Sequence, residues 1–292
     1  PGTTQFEPGP ELPESGVLPL LRPSSPLTWP GALRSLSRAG CDACIVQWWH
    51  PFFAPCLKAC TPRGIPAAVV CHNLEPHEGF PLGMRLTRSY LSGRILAVHG
   101  EKDVEAAWSL GASGVVRLFH PIYDQYLQNA PSREEARRTL GFAPDRVVVL
   151  FFGLVRRYKG LDLLIRAMGM LPENTVLLAV GENYQSEREL EKEAEDLGER
   201  FVRHDRFVPD QEVGLYFRAA DIVALPYRSA TQSGVAQIAL AFGKPMVVTD
   251  VGSLREVLEP GSTGELALTP EPACLAEALS RCAGLLGDPG LK

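Results

Sequence analysis

From residue 42 onward the chain alternates short apolar, β-branched runs with segments of helical period, and that rhythm fits a parallel sheet covered by helices. Strands are expected at 43–48, 67–71, 95–99 and 115–119, with helices at 84–92 and 101–110. A polar segment containing Pro121, Asn129, Pro131 and Ser132 interrupts the pattern, and Ser132 followed by Glu135 predicts a capping box at the next helix. The rhythm then restarts with strands at 147–152, 176–180, 201–203, 222–225 and 246–249. These are continuous apolar runs, as strands buried on both faces require. The fold class is therefore α/β, two Rossmann-like domains with parallel sheets, over 1–130 and 131–292. No strand running into a glycine-rich turn precedes Asp42, so the first domain is expected to be incomplete and the chain trimmed at its front. The final helix, 273–286, leaves little chain for a return crossing, which points to trimming at the end as well.

Composition narrows the class of partner. With 29 basic and 34 acidic residues the net charge is −5, which gives no electrostatic case for nucleic acid. No apolar run reaches the roughly 18 residues of a membrane span, so a soluble, cytoplasmic protein is expected, with peripheral membrane contact left open. The first 16 residues lack an apolar signal-peptide core and read as loop. Seven cysteines, an odd number without disulfide-framework spacing, read as reduced thiols. Cys41 and Cys44 form a C-x-x-C without a second ligand pair, and are expected to be core thiols on a buried strand. The charged helix at 187–197 reads as a solvated face.

Open parallel sheets bind ligands beyond the carboxyl ends of their strands, which nominates four places. Gly153 to Gly160 follows the strand VVVLFF and sets Arg156 and Lys159 at the sheet mouth, two cations suited to a diphosphate. Pro226 to Val235 follows DIVAL and opens a helix whose first amides form a ready anion site; its simpler reading is an ordinary N-cap by Thr231 or Ser233. His72, Asn73, Glu75, His77 and Glu78 follow PAAVVC and suit sugar hydroxyls or proton handling. A metal is not expected there, because the spacing is not H-E-x-x-H and Pro76 interrupts a helix. Gln47, Trp48, Trp49 and His50 offer indole surface for a sugar ring, with at least one tryptophan expected in the core.

Through FFGLVRRYKGLDLLIRA and AADIVALPYRSATQSGVAQIALAFGKPMVVTDVGSLREVLEPGSTGEL the second half resembles the family-four glycosyltransferases of the GT-B fold. The first half is similar to the acceptor-side domain of one bacterial-type branch, through VQWWHPFFAP, CHNLEPHE and FHPIYDQY. The resemblance implies a nucleoside-diphosphate sugar as co-substrate, no further cofactor, and transfer with retention to a hydroxyl of a glycan or lipid-linked acceptor. It implies donor binding by Gly153, Arg156, Lys159, Gln232, Ser233, Gly234 and Val235, with His72, Arg156 and Lys159 catalytic and no metal site. The absence of any D-x-D sequence accords with a metal-independent reaction, in which Arg156, Lys159 and helix amides neutralise the leaving diphosphate. One departure stands out: the family's paired glutamates fall at Ala230 and Ile238, leaving Gln232 or Gln237 to supply an amide oxygen. Rival readings are a sugar-nucleotide epimerase or phosphorylase on the same architecture, and a non-catalytic nucleotide-binding scaffold.

Overall fold

A computed structural model describes residues 22–74 and 82–286. The loop expected over residues 1–16, and Glu75, Pro76, His77 and Glu78, lie outside the described residues. The chain divides into two compact units, Pro1–Phe119 and His120–Lys292. The division falls before the expected boundary at residue 130, because Tyr123, Tyr126, Leu127 and Ala130 pack into the core of the second unit.

In the first unit the elements run α1 (Trp29–Arg38), β1 (Cys44–Trp48), α2 (Ala54–Cys60), β2 (Ala67–Cys71), α3 (Gly83–Leu91), β3 (Ile95–Val98), α4 (Glu101–Ser109) and β4 (Gly114–Arg117). The four strands pair in parallel in the order β1-β2-β3-β4. Trp48, Val69, Tyr90, Leu91, Leu96 and Val98 form its core, with the Trp48 and Tyr90 rings stacked at 5.5 Å. Among the described residues β1 is an edge strand, with Ile45 exposed and Trp48 buried. The expectation that Cys41 and Cys44 are core thiols is corrected accordingly: Cys41 is exposed ahead of the strand, Cys44 is partly exposed at its first residue, and both are free.

The second unit runs α5 (Arg133–Leu140), β5 (Val147–Phe152), α6 (Leu161–Met168), β6 (Thr175–Val180), α7 (Glu187–Ala194), β7 (Phe201–His204), α8 (Asp210–Ala219), β8 (Ile222–Leu225), α9 (Gly234–Ala241), β9 (Met246–Thr249), β10 (Gly264–Ala267) and α10 (Pro272–Leu285). All pairings are parallel, in the order β10-β9-β8-β5-β6-β7. Alternate residues of each strand serve opposite faces. Val149, Phe151, Leu177 and Val247 meet residues of α6 and α10, while Val148, Leu150, Leu178 and Val248 meet α8 and α9. Ser132 and Glu135 form the predicted box at α5, whose other end turns at Gly141 with φ 77°. β10 was not expected; its residues G-E-L-A carry no apolar run, and Gly264 lies where a Cβ would strike the Met246 backbone. The charged helix stops at Ala194 and continues as a 3-10 stretch, broken by Gly198 with φ 51° and ψ −126°.

At the amino ends of the strands, Asp221 accepts hydrogen bonds from Arg133 and Val148 N, each at 2.8 Å, and from Arg137. The buried Arg137 also donates to the carbonyls of Ala143, Pro144, Arg146 and Ala219, so one guanidinium ties α5 to the starts of β5 and β8. Asp221→Ala strands that buried charge and should cost about 3–5 kcal/mol of unfolding free energy. Urea denaturation against the unaltered chain checks this, and a loss below about 1 kcal/mol, the scale of an exposed pair, contradicts it.

Candidate functional site

Two loops flank the point where the second sheet reverses its winding. β5 pairs with β6 on one side and with β8 on the other, and the chain leaves β5 and β8 at the same edge. This switch point is where an open α/β sheet leaves a crevice at its carboxyl end. The loop after β5 turns at Gly153, whose φ of 96° disfavours any side chain. A Cβ there would lie 2.9 Å from Lys159 Nζ and 3.8 Å from Val235 Cγ2. The glycine face, the lysine ammonium and the first turn of α9 therefore converge on one small volume.

Lys159 reaches that volume from a short 3-10 turn, Arg157–Lys159, with its Nζ 5.6 Å from the centroid of the buried Tyr227 ring. Burial depresses the Lys159 ammonium below the usual lysine range, with Tyr158 pulling upward and the Arg156 cation adding to the fall. Ser233 caps no first-turn amide of α9; the buried Ser233 and Tyr227 hydroxyls pair at 3.2 Å instead. The leading N–H groups of a helix have no partner within the helix; Ala236 N donates to the Ser233 carbonyl at 3.2 Å, so the amides of Gly234 and Val235 and the positive dipole end are what α9 offers an anion. Burial pushes the Tyr227 hydroxyl up to about 12, so it stays neutral beside the lysine.

The other expected residues take distinct places. Arg156 lays its guanidinium over the Tyr184 ring at 5.2 Å, toward the loop after β6. Gly234 packs under Tyr123, whose ring would lie 3.2 Å from a Cβ. Gln232 buries its side-chain nitrogen without a hydrogen-bond partner among the described residues. Ala230 borders the loop after β9, where a Cβ on Gly252 would strike its carbonyl oxygen, and Ile238 is buried in the core.

His72 belongs to the first unit, just past β2. Its Nε2 lies 2.7 Å from Gln47 Oε1, and its ring stacks on the exposed Trp49 at 3.9 Å and 14°. Trp48 is the buried core tryptophan and Trp49 the exposed one. Tyr227, Arg228, Asp162 and Tyr184 carry no role in the sequence alone, and for Arg228, Asp162 and Tyr184 the partners lie far apart in the chain. A tyrosine and arginine directly after a buried strand were the available signal.

Residues 146–284 match the family described as glycosyl transferases group 1. A D-inositol 3-phosphate glycosyltransferase 1 of Catenulispora acidiphila is 35% identical over 186 residues, covering 60% of this chain and 44% of the relative. A D-inositol 3-phosphate glycosyltransferase of Actinosynnema mirum is 38% identical over 165 residues, covering 52% of this chain and 39% of the relative. The chain thus spans less than half the length of these relatives. Among solved structures, sucrose-phosphate synthase from Thermosynechococcus elongatus aligns with TM-score 0.70 at 20% identity, over 91% of this chain and 70% of that one. Anabaena HepE in complex with UDP aligns with TM-score 0.73 at 16% identity, over 91% and 74%. The fold is α/β with parallel sheets, of the GT-B type. No helix among the described residues is long and apolar enough to cross a membrane.

An anion beside Lys159 restores the charged form that burial disfavours, so at pH above the free lysine's lowered pKa binding must take up a proton. The affinity for inorganic pyrophosphate is expected to fall as pH rises through that range. Calorimetric heats there should depend on the ionisation enthalpy of the buffer, and Lys159→Met should reduce that dependence to the part contributed by the pyrophosphate's own ionisation. Buffer-independent heats in the unaltered chain contradict this assignment.

Proposed function

We propose that this chain, whose residues 146–284 match the group 1 glycosyl transferases, moves a sugar from a nucleoside-diphosphate sugar to a hydroxyl acceptor. The convergence of Lys159 Nζ with the Gly153 face and the first turn of α9 at the switch point carries this reading. A pyrophosphate has the charge that such a site favours, and lysine with helix amides can hold it without a coordinated metal. Arg156 adds a second cation on the side of β6, against Tyr184. The unpartnered Gln232 amide nitrogen is a donor for a ribose or sugar hydroxyl, in place of the absent carboxylates at Ala230 and Ile238.

Chemistry follows from charge. Cleavage of the anomeric C–O bond places negative charge on the leaving diphosphate, and donors already fixed by the sheet and by Tyr227 stabilise it without reorganisation. Transfer with retention and without a metal is the finer form of the proposal. Gln47 and Trp49 hold the ring of His72, the proposed catalytic histidine, within the first unit, and the exposed indole suits the face of a glycan. The uridine nucleotides in complexes of Anabaena HepE and the glucose-6-phosphate of a Burkholderia trehalose-phosphate synthase make a UDP-sugar and a sugar or sugar phosphate the first donor and acceptor to try. A reading as a nucleotide-binding protein without transfer gains its support from the missing carboxylates.

The proposal is tested by incubating the chain with UDP- and GDP-sugars in the presence of sugar phosphates and of lipid-linked acceptors. Acceptor-dependent release of nucleoside diphosphate is expected, and Lys159→Ala should lower turnover by about 10²–10³-fold. Full activity in that variant contradicts the site assignment. Binding of nucleoside diphosphates with no turnover supports the non-catalytic reading instead.

A further inference from the structure

Taking the diphosphate reading above as its basis, we propose that Arg228 is a positioning residue, which with Asp162 latches the loop after β8 onto the loop after β5 and so sets the spacing between Lys159 and the start of α9. Arg228 Nη1 and Nη2 donate to the two carboxylate oxygens of Asp162 at 2.8 and 2.6 Å, a bidentate pair. Nη1 also donates to the Arg157 carbonyl at 2.8 Å. The Arg228 backbone N–H donates to the Tyr158 carbonyl at 2.6 Å. These four bonds end on residues 157, 158 and 162, which bracket Lys159 in the chain.

The surroundings give this grip its leverage. Gly160, with φ 71°, presses on Pro226 so closely that a Cβ would collide with the Pro226 carbonyl oxygen. The Tyr158 ring meets the Tyr227 ring edge-on at 6.3 Å. On the far side, Thr249 Oγ1 donates to the Tyr227 carbonyl at 2.6 Å and Ser253 N to the Thr231 carbonyl at 3.0 Å. Residues 226–233 are therefore held between two other loops, and Arg228 supplies the charged contact on the Lys159 side. The pair is half-buried, with side-chain exposures of 31% and 22%. Burial works to raise the Asp162 carboxyl, yet the Arg228 bonds hold it below the usual carboxylate range.

Arg228 makes no demand on the diphosphate itself. Its guanidinium is spent on Asp162 and Arg157, so its replacement should loosen the site rather than remove a ligand contact. Arg228→Met and the milder, near-isosteric Asp162→Asn are compared with the unaltered chain in two measurements. Hydrogen exchange without ligand should quicken over residues 226–236 while the amides of β5 and β6 keep their protection. Calorimetry with uridine, guanosine and adenosine diphosphates should show binding weakened by about 10- to 100-fold, the scale of a misplaced rather than a missing group. Arg228→Lys keeps one bond to Asp162 and should recover part of the loss. Unchanged exchange, or unchanged affinity in both variants, overturns the latch. If the unaltered chain binds none of the three diphosphates, the donor reading is what fails, and the exchange experiment alone then decides whether the latch exists.

Discussion

The pairing of β5 with β8 is the constraint from which the candidate site follows. Val149 aligns with Ile222 and Leu150 with Val223, so strands 70 residues apart in the chain end side by side. Their continuous apolar sequences keep them at the centre of the sheet, where both faces are covered. Once they are adjacent, the loops that leave them approach closely only where side-chain bulk is absent, and Gly160 stands at such a point, against the Pro226 carbonyl. A shift in this register would separate Lys159 from α9 without altering either loop.

Around that constraint the unit places its charges unequally. At the amino ends of the strands Asp221 is matched by Arg133 and Arg137, and the buried guanidinium spends its Nε and Nη1 on carbonyls and its Nη2 on Asp221. Near the carboxyl ends Arg228 is matched by Asp162 and Arg206 by Glu212. Burial lowers the affinity of Lys159 for a proton, and the neighbouring Arg156 cation adds to the fall. An ammonium held in that condition gains most from an incoming anion, which is a physical basis for selecting a diphosphate over a neutral ligand.

Much of this was legible in the sequence, for identifiable reasons. The runs VVVLFF and DIVAL are too apolar for anything but central strands, and rules for ligand placement on parallel sheets led directly to Gly153, Lys159 and Ser233. Ser132 and Glu135 announced the helix they cap. What the sequence concealed depends on distant partners. β10 exists because Gly264 fits against Met246, and nothing in G-E-L-A announces a strand. Arg228 reads as an ordinary loop cation until Asp162, 66 positions earlier, is seen beneath it. Ser233 reads as an N-cap, yet its hydroxyl is drawn to Tyr227 by burial that leaves the phenol no water. The boundary between units moved from residue 130 to 119 because aromatic side chains within a polar-looking segment found the second core.

A crystal structure of the chain with a bound nucleoside diphosphate tests the central claim most directly. Phosphate oxygens should lie within about 3 Å of Lys159 Nζ and of the leading amides of α9, with Gly153 beneath them. A diphosphate seated away from the ends of β5 and β8, or a Lys159 ammonium turned from it, would contradict the account.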